Sequence, residues 1–202
     1  MTKLALEDIS DLRAYERERE RFRADVIELK KRRRVGVGPL VTFVFENRQT
    51  IRFQIQEMAR AERMSTDAAI RDELETYNPL IPEAGELSAT LFIELISEPQ
   101  LRHWLPALVG IERAVELVIG EGGGGDREAI VVRAQPEAAH AAQLTRDEVT
   151  ASVHYLHWTL TTDEIERFAR GPVVLAISHP AYAHRATLSA ATRQEMLEDL
   201  RG

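Results

Sequence analysis

Apolar positions along the first thirty residues recur at helical rather than strand spacing. Leu12, Tyr15, Phe22, Val26 and Leu29 form a single stripe, with Arg19 standing where one further apolar residue would complete it. This spacing predicts a long helix over 6–33 with a seam as narrow as that of a coiled coil. Such a helix packs across a sheet or against a partner helix, which makes a homodimer through this element an expectation. The Lys30–Arg34 run complements the helix dipole, and Gly36, Gly38 and Pro39 end the element. The pattern then changes to period two. VTFVFE alternates, and so do Ile51, Phe53 and Ile55, so 41–45 and 51–56 read as a hairpin joined through Asn47-Arg48-Gln49. Residues 57–63 read as helix. A second helix follows a Ser65 or Thr66 cap, carries Ile70, Leu74 and Tyr77 on one face, and closes at Asn78-Pro79.

From residue 87 the pattern repeats. ATLFIELI, a helix opened by Ser97-Glu98-Pro99, and the strand Ala114–Ile119 form one unit; ASVHYLHWTL, a helix opened by Thr161-Thr162-Asp163-Glu164, and VVLAIS form a second. Thr161 and Glu164 have capping-box spacing. Strands over 113–119 and 128–134 flank GEGGGGD, and a last helix runs from a Ser189 cap to Leu200 on Met196, Leu197 and Leu200. The expectation is an α+β fold: a mixed, mainly antiparallel sheet with helices on one side and a long N-terminal helix. One domain over 1–202 accommodates it, with the helix at 6–33 and the α+β body at 41–202.

Composition narrows the chemistry. The 202 residues include no cysteine, which removes disulfides, thiolate metal ligands, cysteine nucleophiles and any iron–sulfur cluster held by this chain alone. No apolar stretch approaches the roughly 18 residues of a membrane span, and the N-terminus turns polar at once, unlike a secretory signal. A soluble, cytoplasmic protein is expected. The net charge is −7, yet residues 13–34 carry ten basic and five acidic residues, leaving −12 on the remainder. An acidic body disfavours nucleic acid, and the run Lys30, Lys31, Arg32, Arg33, Arg34 lacks the interleaved aromatics of an RNA-stacking surface. A solvated helix end or an acidic protein partner accounts for that run.

Gly-x-Ser-x-Gly and dinucleotide fingerprints are absent, and Gly122–Gly125 are followed by a strand rather than by Lys-Ser/Thr and a helix, so they read as a hairpin tip. Six histidines remain: His103, His140, His154, His157, His179 and His184. His154 and His157 lie three apart in a strand and point to opposite faces. A metal centre for zinc or iron would combine His154, His179 at a strand end, and Glu57; the alternative is separate hydrogen-bonded histidines. His179-Pro180-Ala181-Tyr182 sits at a sheet end, where it either contributes to a site or stops the strand with Tyr182 on the core rim. The polar run Gln54, Gln56, Glu57, Arg60, Glu62, Arg63 suits an Arg–carboxylate network more than a catalytic acid.

VGPLVTFVFENRQT, IRFQIQEMARAER, ELETYNPLIP, ELSATLFIEL, SVHYL and HPAY, in that order from about residue 4 to 200, resemble the uncharacterised bacterial family known as domain of unknown function 3501. Gln56, Glu57, Arg60, Tyr77, His154, His179 and Tyr182 fall in its motif stretches, and the glycine run looks like a local insertion. The resemblance implies no activity. It implies context: relatives are encoded beside rubrerythrin-like di-iron proteins and iron–sulfur proteins related to heterodisulfide reductase, which suggests a partner in a peroxide or electron-transfer system. Two functions follow as expectations. One is a non-enzymatic accessory protein binding such a partner; the other is a small iron or zinc enzyme built on His154, His179 and Glu57.

Overall fold

A computed structural model describes residues 2–120, 128–137 and 148–202. The chain is α+β, with its strands in two sheets that are antiparallel throughout rather than in one mixed sheet. A 3-10 turn at Leu6–Asp8 precedes α1 (Leu12–Arg33), whose first turn is capped by Asp11 accepting from Ala14 N. The expected helix from residue 6 is therefore broken before residue 12. α1 runs without a loop into β1 (Arg34–Val37), and β2 (Val41–Phe45) returns against it.

The expected strand at 51–56 is instead the middle of α2 (Arg48–Ala61). Asn47 accepts from Gln49 N and Thr50 N, while Thr50 Oγ1 accepts from Asn47 N, so the capping box nucleates a helix where a turn was expected. Ile51 and Ile55 then lie four apart on one buried helical face, and Phe53 points elsewhere, edge-on to Phe22 of α1. α3 (Asp67–Tyr77) follows a Thr66 cap and ends in a 3-10 turn at Asn78–Leu80.

Both strand–helix–strand units form as expected: β3 (Glu86–Ile93), α4 (Glu98–Ala107), β4 (Val115–Ile119), and later β7 (Val153–Thr159), α5 (Thr162–Arg170), β8 (Val173–His179). Ser97 and Thr161 cap the two helices, the latter in a capping box with Glu164. β4 pairs with β5 (Ile130–Arg133), β6 (Gln135–Pro136) follows, and β9 (Tyr182–Thr187) and α6 (Ala190–Arg201) end the chain. The glycine run Gly122–Gly125 lies outside the described residues.

One sheet has the order β1-β2-β3-β7-β6 and the other β5-β4-β8-β9. Their inner faces meet in one core, with Val41, Phe43, Phe45, Leu91, Leu156 and Trp158 from the first sheet and Val115, Leu117, Val173, Leu175 and Ile177 from the second. Phe168 of α5 and Met196, Leu197 and Leu200 of α6 join this core. The first sheet's outer face is covered as well. There Leu4, Ile51, Ile55, Leu74, Leu80 and Ile81 form a second cluster against Tyr155. Cover on both sides explains why β2, whose sequence alternates as if one face met water, is buried at all five positions, Thr42 included.

α1 packs on α2, α6 and β2. Its narrow seam packs within the chain, with Tyr15 and Val26 buried and Leu12, Phe22 and Leu29 half-buried.

Candidate functional site

The side chains in the family's motif stretches are each held by a separate set of contacts. Glu57, on α2, receives the Tyr15 hydroxyl at 2.7 Å and both Nε and Nη2 of Arg19 at 2.8 Å. The Arg19 guanidinium holds its carboxyl below the usual carboxylate range, and burial together with Glu57 pushes the Tyr15 phenol up. Arg19, which interrupts the apolar stripe, is therefore the seam's polar tie to α2. One turn away, Arg60 donates to Glu16. Gln56 is fully buried and its amide spans one residue of backbone, accepting from Ser10 N and donating to Ser10 O. The expected network would pair within the run and hold a hairpin to the helix; instead Glu57 and Arg60 pair with Arg19 and Glu16 outside the run, and these pairs clamp α1 onto α2.

His154 faces the core from β7, with Nε2 2.9 Å from Thr150 Oγ1 and 3.0 Å from Ala151 O. His157 points to the opposite face of the same strand, as the spacing required. At the end of β8, His179 donates from Nε2 to Val109 O at 3.1 Å and accepts at Nδ1 from Ala181 N at 3.2 Å. Both of its ring nitrogens are engaged. Glu57 has both oxygens engaged on another element, and His154 holds its own two partners. His154, His179 and Glu57 therefore do not make one centre for iron or zinc. Among the described residues no group of three or more His, Cys, Asp or Glu is placed to hold a metal ion, and His140 lies outside them.

Burial moves both β7 histidines below the ordinary value of 6.5, with Glu112 opposing the shift at His154 and Glu86 and Glu137 opposing it at His157. The unfolded chain then binds protons more readily than the folded one from 6.5 downward to the folded values. Stability accordingly rises with pH across that window. Urea unfolding at pH 5.5 is expected to give a lower free energy than at pH 7.5. A profile that is flat, or that climbs on acidification, would count against buried neutral histidines.

Tyr182 covers the core rim. Its hydroxyl donates to Val37 O at 2.7 Å and accepts from Leu40 N at 2.9 Å, tying β9 to the β1–β2 turn. Its ring lies 4.4 Å from His184 and edge-on to Trp104. Tyr77 ends α3 beside Tyr155 in the second cluster, next to Asn78, whose side chain pairs with both N and O of Leu4. These residues hold segments together.

The basic run divides between interior and surface. Arg33 is 2% exposed and clasps Asp199 of α6 through Nη1 and Nη2 at 2.7 and 2.8 Å, so it is removed from any partner surface. Arg32 reaches Glu195 on the same helix. Lys30, Lys31 and Arg34 stay outside, where with Ile27 and Gly36 they line an open groove of about 530 Å³ in the crook between α1 and β1. Lys31 makes an exposed pair with Glu28, and Lys30 lies over the Phe53 ring. Among the described residues no carboxylate pairs with Arg34. A second open cavity, about 550 Å³, lies where Leu6, Ile9 and Leu12 face Met64 and Ile70 under an acidic rim of Glu7, Asp11 and Asp67. The sequence reading missed Ile27 and Gly36; the signal was a glycine at an outward position of the alternating strand RVGV.

The sequence matches a family model described as a protein of unknown function, DUF3501, over residues 3–200. No functionally curated protein matches it. It is similar to a solved structure, a novel protein of unknown function from Burkholderia pseudomallei, with 33% identity and a TM-score of 0.87, over 98% of this chain and 100% of that one.

Proposed function

The chain belongs to the DUF3501 family of proteins of unknown function, and from that premise we propose that it is a non-enzymatic accessory protein binding a redox partner through the basic end of α1. The observation that carries this reading is the division of the basic run. Two of its five cations are tied to α6, while Lys30, Lys31 and Arg34 surround an exposed apolar residue, Ile27, in an open groove. An apolar centre within a charged rim is the usual anatomy of a transient protein interface. The side chains proposed for metal chemistry serve in internal hydrogen bonds, which favours this reading over the iron or zinc enzyme. The partner's class, a rubrerythrin-like di-iron protein or an iron–sulfur protein of a peroxide or electron-transfer system, comes from the family's genomic context.

The test is association of the purified chain with each of those proteins from the same genome, measured at two ionic strengths. The triple variant Lys30→Glu/Lys31→Glu/Arg34→Glu is expected to weaken association about tenfold or more, mainly through slower binding, and to remove most of its salt dependence. Arg17→Glu, on an exposed position of α1, should leave it unchanged. Association that is indifferent to the triple reversal sinks the reading.

A further inference from the structure

Gly36 has no internal reason to be glycine. Its φ is not positive, and among the described residues a Cβ built on it would meet nothing within 4 Å. It stands at an outward position of β1, the terminal strand of its sheet, between buried Val35 and Val37. Glycine in a strand gives up side-chain packing and orders at a greater entropic cost than a β-branched residue. A strand glycine often marks a bulge, a tight bend or the close approach of a ligand or another backbone, and the unbroken register of β1 with β2 removes the bulge and leaves close approach as the use for Gly36. Around this bare position the groove places Ile27, 40% exposed, and three cations from two elements, Lys30 and Lys31 of α1 and Arg34 of β1.

We propose that this crook receives a short extended acidic segment of a partner protein, its apolar side chain lying on Ile27 across Gly36 and its carboxylates meeting Lys30, Lys31 and Arg34. The inference rests on the partner-binding reading and names the chemistry of what that surface binds. An extended segment suits a floor that is itself a four-residue strand at a sheet end. Acidity suits the three cations. A long polyanion does not fit as well, because beyond residues 13–34 the chain carries −12, and repulsion from that body grows with ligand length, whereas a segment of a few residues stays within about one Debye length of the groove.

The probe is a fluorescein-labelled Glu-Val-Glu-Val-Glu-Val peptide, followed by anisotropy. Its comparators are a charge-matched Glu-Ser-Glu-Ser-Glu-Ser peptide and a short single-stranded oligonucleotide. The Glu–Val peptide is expected to bind about tenfold more tightly than either. Gly36→Val is expected to raise the melting temperature while weakening the peptide at least tenfold, and Ile27→Ser to weaken it with little change in melting. Three results overturn the proposal. The first is Gly36→Val leaving binding intact, the second is equal binding of the Glu–Ser peptide or the oligonucleotide, and the third is light scattering that shows a dimer dissociated by Gly36→Val, which would make the occupant a second copy. Redox-partner capture that depends on Lys30, Lys31 and Arg34 but not on Gly36 removes this inference and leaves the broader reading standing. Tight peptide binding with no capture of either redox protein removes the redox reading alone.

Discussion

Arg33→Ala is expected to destabilise the protein by about 3–5 kcal/mol, because it leaves the Asp199 carboxylate buried without a counter-charge. Both partners are nearly inaccessible, at 2% and 5% exposure, and the two guanidinium–carboxylate bonds are the buried part of the link from the end of α1 to α6, beside the more exposed Arg32–Glu195 pair. For a chain of this length that loss corresponds to roughly 6–20 °C in melting temperature. Burial pushes the Asp199 carboxyl up even though Arg33 pulls it down. Desolvation therefore offsets much of the attraction, and the pair is worth less than its removal suggests. The double variant Arg33→Met/Asp199→Leu should accordingly recover most of the stability. Urea unfolding of the two variants decides the matter: a single variant within about 1 kcal/mol of the parent contradicts the buried pair. A double variant no better than the single one contradicts the desolvation argument.

Gly38→Ala is expected to cost about 2–4 kcal/mol, from two separable sources. Gly38 has φ +72°, and a Cβ there would stand 2.5 Å from Tyr182 Oη and 2.5 Å from His184 Cγ. Tyr182 cannot retreat without giving up Val37 O and Leu40 N, the two bonds that tie β9 to the β1–β2 turn. Gly110 supplies the control. Its φ is +89° but among the described residues a Cβ meets nothing within 4 Å, so Gly110→Ala carries only the conformational part, about 1–2 kcal/mol. The difference between the two variants measures the crowding under Tyr182. Equal losses at the two glycines would show that the tyrosine yields freely.

Legibility in the sequence followed how local each cause is. The two strand–helix–strand units were readable because their caps, Ser97 and Thr161, act within four residues. The α1 stripe was readable for the same reason. IRFQIQ misled because Ile51 and Ile55 satisfy a strand and a helix equally, and the Asn47–Thr50 capping box decides between them. Period two and period 3.6 coincide at i and i+4, so three apolar residues cannot separate the two. The distribution of strands over two sheets depends on pairings far apart in sequence and left no local trace. In the site, the opposite orientations of His154 and His157 followed from strand geometry. The role of Arg33 did not: a basic residue in a basic run gives no sign that one side chain turns inward to Asp199, 166 positions away. The partners of Glu57 were half legible, since a carboxylate beside arginines suggested pairing, but Arg19 had registered only as a gap in the stripe.

The ladders that hold the sheets together bear on how the protein is made. β3 pairs with β7 and β4 with β8, so in each sheet a strand of the first unit meets one of the second. A ribosome releases the apolar strand β3 well before β7 exists, and at about 5–20 residues per second the interval is several seconds. During it the chain holds finished helices and unmatched strand edges. Cutting the message between the two units should yield neither half-sheet, only fragments prone to clump, and folding is tied to the completion of synthesis.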